Sequence, residues 1–139
     1  MADKVQIPVN GVSKASPGTF YSEAFATNSE RDFSTMCLLP TSTGAGTDTI
    51  TITVEESDQR EFTDPERIRT CLLTKPAGTT QGAFDVITGG LTSPNILLQQ
   101  KFNLADVNYN RFLRIKYVIA NTATAFTDIT ILLLSNARI

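Results

Sequence analysis

Histidine and tryptophan are both absent from this 139-residue chain, and cysteine occurs only twice. Without histidine, a serine or cysteine nucleophile has no imidazole base, and the ligands that metal-dependent cupin barrels generally use are missing. Zinc takes about four protein or solvent ligands, which Cys37 and Cys71 cannot supply within one chain. Set in Met36-Cys37-Leu38-Leu39 and Thr70-Cys71-Leu72-Leu73, both read as buried free thiols. Long apolar runs are lacking: Ile131 to Leu134 is the longest uninterrupted aliphatic stretch, against about 20 residues for a bilayer-spanning helix. The glycines of Gly44-Ala45-Gly46 and of Gly78 to Gly82 are not followed by the Lys-Ser/Thr of a phosphate loop. There is no surplus of positive charge, with 12 Lys and Arg against 14 Asp and Glu and a net charge of -2. A general nucleic-acid binder needs a basic face. The opening Met-Ala-Asp-Lys has no apolar h-region, so the expectation is a chain made in a cytoplasm. Together these absences lead to the expectation of a non-enzyme with no cofactor and no metal site, acting by binding or by incorporation into a larger structure.

What is present is β-strand text. Thr49-Ile50-Thr51-Ile52-Thr53-Val54-Glu55 alternates strictly, with Ile50, Ile52 and Val54 on one side and threonines and Glu55 on the other, the pattern of a half-buried pleated strand. Val5, Ile7 and Val9 alternate with Lys4, Gln6 and Pro8. Proline removes a ladder donor, so residues 1–12 read as an edge strand or extended arm. Asn10 to Gly18 reads as loop. Phe20 to Thr27 and Phe33 to Leu39 read as strands, as do Asp48 to Glu56, Ile68 to Thr74, Ile96 to Leu104, Arg111 to Ala120 and Asp128 to Ser135. Asp64-Pro65-Glu66 has the form of a helix start, with an aspartate cap, proline at the first position and acid in the first turn. About eight strands with turn signals roughly every ten residues predict an all-β, single-domain antiparallel β-sandwich over residues 13–139, with a jelly roll as the expected form.

The two closing strands are informative. Leu113, Ile115, Tyr117 and Ile119 share a face that excludes Arg114 and Lys116. Ile129, Ile131 and Leu133 share another, yet Leu132 and Leu134 make the reverse side of that strand apolar too. A strand apolar on both faces is covered on both, here by a loop or by another subunit. The acidic stretch Glu55, Glu56, Asp58, Glu61, Asp64 and Glu66 does not match an EF-hand spacing and carries no specific signal for paired catalytic carboxylates. It reads as a solvated loop face. Tyr109, Phe112 and Tyr117 lie near Arg111, Arg114 and Lys116, as single-strand stacking would require, but Tyr117 has core parity.

The stretch Thr51-Ile52-Thr53-Val54-Glu55-Glu56-Ser57-Asp58, then Phe62, then Asn110-Arg111-Phe112-Leu113-Arg114-Ile115-Lys116-Tyr117-Val118-Ile119 and Thr127 to Leu134 resembles the small jelly-roll capsid cement, or decoration, proteins of tailed bacteriophages, of the type first seen in short-tailed Bordetella phages. The resemblance covers roughly residues 48 to 135. It departs at Asn121-Thr122-Ala123-Thr124, where family members often have glycine. It implies a structural virion protein on the outer capsid surface, made in the bacterial host cytoplasm. The implied partners are the major capsid protein and other copies of this chain, as homodimer or homotrimer, with no membrane and no direct nucleic-acid contact. The alternative is a carbohydrate-binding or host-attachment sandwich of a tail component.

Contact residues for that job are selected on extension and exposure: Lys4, Val5 and Ile7 in the arm, Thr43 and Thr47 in the loop Thr41 to Thr47, Lys75 and Thr79 in the loop Lys75 to Gly82, and Arg111. The arm is expected to reach a neighbour, extend its sheet by strand addition, and be removable without loss of the fold.

Overall fold

The computed structural model describes residues 4–14, 16–27, 32–38, 41–42, 49–71, 73–74, 80–81, 87–88, 97–103, 112–120 and 126–135. Its strands are β1 (Lys4–Lys14), β2 (Gly18–Tyr21), β3 (Phe25–Ala26), β4 (Asp32–Leu38), β5 (Thr41–Ser42), β6 (Thr49–Ser57), β7 (Ile68–Thr70), β8 (Leu73–Thr74), β9 (Thr80–Gln81), β10 (Ile87–Thr88), β11 (Leu97–Asn103), β12 (Phe112–Ala120) and β13 (Phe126–Ser135). They form two antiparallel sheets. One runs β1-β13-β4-β11-β8-β9, with β5 also on β13; the other runs β10-β6-β12-β2, with β3 on β12 and β7 on β6. The protein is an all-β antiparallel sandwich, as the alternation predicts.

The core forms where the two alternating faces meet. From one sheet come Val9, Phe126, Ile129, Ile131 and Leu133; from the other come Ile50, Ile52, Val54, Leu113, Ile115, Tyr117 and Ile119. β6 and β12 pair in unbroken register from Phe112 opposite Ser57 to Ala120 opposite Thr49. Their apolar residues therefore lie side by side on one face, and each buried aliphatic side chain there is worth about 1.5–3 kcal/mol. Tyr117 is core, its ring centroid 5.5 Å from that of Phe20, and burial pushes its phenol above the ordinary value. The reverse side of β13 is less covered: Thr130 and Leu132 are half-buried.

Three readings change. Residues 10–14 are strand, not loop: Gly11 takes φ +63 inside β1 and its N–H donates to Thr130 Oγ1 at 3.0 Å. Here Asn-Gly supplies the left-handed residue of a bulge. The register against β13 shifts between Gln6 and Val9, again before Val12 and again before Lys14. That is why Val9 is core while Ile7, of the same sequence parity, is exposed.

The reading of Phe20 to Thr27 as one strand with Phe20 and Phe25 on opposite faces is also corrected, because both pack on the core. Phe20 pairs with Tyr117 and Phe25 with Leu113, one residue out of step. Ser22 takes up the slack: its N–H donates to the Ile115 carbonyl at 2.9 Å and its Oγ accepts from the Ile115 N–H at 2.8 Å.

The third change concerns only the removable arm. Of the two alternatives for this segment, edge strand and extended arm, residues 4–14 form the edge strand of a sheet, and Val9 is only 2% exposed within the shared core. Removing residues 1–12 would uncover Ile129 and Ile131, so the expectation of a dispensable arm does not fit this packing. Asp64-Pro65-Glu66 does open a helical turn, a 3-10 turn at Pro65–Arg67, with the Glu66 N–H donating to Asp64 Oδ1 at 3.0 Å.

Candidate functional site

Two surface features stand out, and both lie on edge strands. Among the described residues, the large apolar side chains that stay exposed are Ile7 on β1 and Tyr21 on β2, each 47% exposed. β1 ends one sheet and β2 ends the other, so both features stand at sheet edges.

At Ile7 the surface dips into an open groove of about 280 Å³ lined by Gln6, Ile7, Pro8, Glu23, Ala24 and Phe25. One wall is the edge strand β1; the other is the Ser22-anchored break between β2 and β3. Its lining is mixed: Ile7, Pro8, Ala24 and Phe25 stand beside Gln6 and the Glu23 carboxylate, and polar atoms make up the larger share of the surface. Pro8 and the bulges of β1 interrupt the free edge, a usual protection against uncontrolled strand pairing. The groove has room for one side chain of an extended segment. No cluster of three metal-ligating side chains is found among the described residues.

At Tyr21 the feature is a braced stack. Arg114, on the outer face of β12, places its guanidinium carbon 4.0 Å from the centroid of the Tyr21 ring and 4.3 Å from that of Phe62. Its Nε donates to Glu55 Oε1 at 2.8 Å. Glu55 is directly across the ladder from Arg114. Phe62 reaches the stack from the turn after β6, in the left-handed region at φ 51. A bulky residue held there costs on the order of 1–3 kcal/mol, a cost the buried ring and its cation contact offset. Arg60 adds a second cation over an aromatic ring, 4.8 Å from the centroid of Phe112. The segment 58–67 thus covers one end of this sheet's outer face and leaves the other end open.

The acidic stretch divides along the strand's parity. Glu55 and Glu56 are buried, at 8% and 6% exposure, which corrects the reading of the whole stretch as solvated. Glu56 continues the inward face of Ile50, Ile52 and Val54, and its Oε1 pairs with Arg69 Nη2 at 3.0 Å; Glu55 continues the outward face. Asp58, Glu61, Asp64 and Glu66 remain more open, with Asp58 paired to Arg67 at 3.2 Å.

Cys71 is a buried free thiol, as expected, and its N–H donates to the Val54 carbonyl at 2.8 Å. Desolvation pushes this thiol far above its ordinary range; the Glu56 carboxylate adds to the rise, Arg69 opposes it, and Glu55 adds less. A thiol so held is a poor nucleophile. Modification of Cys71 by a maleimide at pH 8, mapped by peptide mass spectrometry, is expected to be at least about a thousandfold slower in the native protein than in urea, following the unfolded fraction. Rapid native labelling would mean that this end of the sandwich opens.

Of the residues predicted for contact, Lys4, Val5 and Ile7 fall on β1, and Ile7 lines the groove. Thr43, Thr47, Lys75, Thr79 and Arg111 lie outside the described residues, as does the side chain of Cys37. Sequence reasoning did not single out Tyr21 or the Phe62–Arg114–Glu55 grouping. The signal for the ion pair was there, since Glu55 and Arg114 both take the non-core parity of strong strands. Comparison with family models, with curated proteins and with solved structures finds no match for this chain.

Proposed function

We propose that this protein is a structural virion component, a capsid cement or decoration protein. It binds the outer surface of a phage shell and bridges neighbouring major capsid subunits. The reading rests on the sequence resemblance over residues 48 to 135, including the jelly-roll form that resemblance implies. The structural observation that supports it is the β1 edge, where Ile7 stands half exposed beside an open groove of mixed polar and apolar lining. An extended segment of a capsid subunit lying along this edge seats one side chain in the groove, with main-chain pairing on either side of Pro8. One such contact is small. A shell presents it many times, and multivalent attachment by an oligomer makes modest contacts collectively strong.

The test is co-sedimentation of purified protein with emptied, expanded capsids of the phage that encodes it. Saturable binding at a fixed ratio to major capsid protein, with raised resistance of the shell to heat, is the expected result; no binding to expanded shells discards the reading. Ile7→Asp is expected to weaken the binding about tenfold or more, while stability changes by no more than about 0.5 kcal/mol because the side chain is largely on the surface. Unchanged binding would remove the groove from the contact.

A further inference from the structure

We propose that the less covered half of the outer face of the β10-β6-β12-β2 sheet is a docking surface for an acidic protein surface, with Tyr21 and Lys116 along its border with the Arg114 stack. The inference deepens the cement reading and rests on it: the partner is the capsid shell, and this face is turned toward it.

The ladder registers define the face. Tyr21 is opposite Lys116, and Lys116 opposite Thr53; Thr19 is opposite Val118, and Val118 opposite Thr51; Ala120 is opposite Thr49. These positions share the outward parity of Arg114 and Glu55. All are exposed or half-buried. Their side chains are short apart from Tyr21 and Lys116, so the face is broad and flat. No acidic residue occurs among them. Glu55, the nearest carboxylate by register, is buried and tied to Arg114. Lys116 makes no ion pair among the described residues. A chain of net charge -2 thus presents one unopposed cation and one aromatic hydroxyl here. That charge pattern calls for carboxylates on the partner.

Tyr21 is built as an anchor. The Arg114 guanidinium occupies one side of its ring, and Phe62 and Glu55 fix that guanidinium in turn. A braced tyrosine loses little conformational freedom on binding, and tyrosine with arginine is the usual composition of interface hot spots. The cation already stacked on the ring draws electron density from it. This disfavours a second cation or the C–H face of a sugar on the opposite side, and leaves the phenol hydroxyl as the donor for an acid. The open area spans about five residues of β12 by three or four strands, on the order of 300 Å² by strand geometry. That is well below the roughly 800 Å² per partner of a standard interface. Such a contact works when repeated on a regular lattice, as a shell provides.

The experiment uses the full chain and the same expanded shells. Lys116→Glu and Tyr21→Ala are each compared with the unaltered protein, with melting curves to confirm the fold and with titrations at several salt concentrations. Lys116→Met serves as a milder variant that keeps the stem. The expected result is binding weakened about tenfold or more by Lys116→Glu and by Tyr21→Ala, and a shallower salt dependence for Lys116→Met. Full-strength binding by folded variants overturns this assignment while leaving the cement reading in place. Failure of the unaltered protein to bind shells overturns both. Retention of the unaltered protein on immobilised alginate, lost in Lys116→Glu with shell binding unchanged, also overturns it, by making the face a site for acidic glycans.

Discussion

Arg114→Met is expected to destabilise the protein by about 3–5 kcal/mol, the usual result of removing one partner from a buried ion pair. Glu55 would keep its burial, with a side chain only 10% exposed, and lose the donor that compensates its desolvation. Two ring contacts go with it. Methionine retains most of the stem, so packing loss is a minor part. Urea unfolding followed by circular dichroism measures the change, with the midpoint falling and the slope unchanged.

The partner variant separates charge from packing. Glu55→Gln keeps the shape and removes the charge, so Arg114 retains its rings and gains solvent access at the edge. Its cost is expected to be smaller than that of Arg114→Met. In the double variant the uncompensated carboxylate is gone, and most of the Arg114→Met penalty should disappear; replacing both members of a buried pair is often near neutral. Additive losses would mean that Arg114 acts mainly through Tyr21 and Phe62. This matters for the docking face, because a stack that Glu55 orients is lost as a unit. Tyr21 then keeps its exposure and loses its brace.

Much of this was legible in the alternation of β6 and β12. Strict parity over Thr49 to Val54 and over Leu113 to Ile119 fixes which side chains face the core, because one residue of slip would put every aliphatic in water. The same rule assigns Glu56 inward and Glu55 outward, although charge density alone suggested a solvated stretch. Parity fails as a guide wherever a bulge intervenes. Phe20 and Phe25 share a face because of the break at Ser22, and Val9 parts company with Ile7 because of a register shift. Such offsets depend on where a tertiary partner offers a hydrogen bond, here Ile115 to Ser22 and Thr130 to Gly11. Neither partner is near in sequence. The Tyr21 stack was illegible for a related reason: it joins β2, the turn after β6 and β12, and only the fold brings them together.

Phe126→Ala carries the largest core penalty expected, about 3–5 kcal/mol for a buried aromatic. Phe126 begins β13 and is fully buried, in the cluster that joins both sheets. It pairs with Lys14 of β1 on one side and Ser42 of β5 on the other. Its ring therefore sits where the edge strand, the closing strand and a short strand converge, and among the described residues its ladder neighbours are held by strand pairing. That rigidity places the variant at the upper end of the range, since cavity cost rises with the volume left unfilled. Phe126→Leu retains most of the volume and is expected to cost under about half as much. Domains of this size have about 5–15 kcal/mol in total, so the alanine variant should lose much of its urea tolerance while keeping a cooperative transition. A loss below about 1 kcal/mol would show that β13 begins later than Phe126 and that the ring is not part of the core.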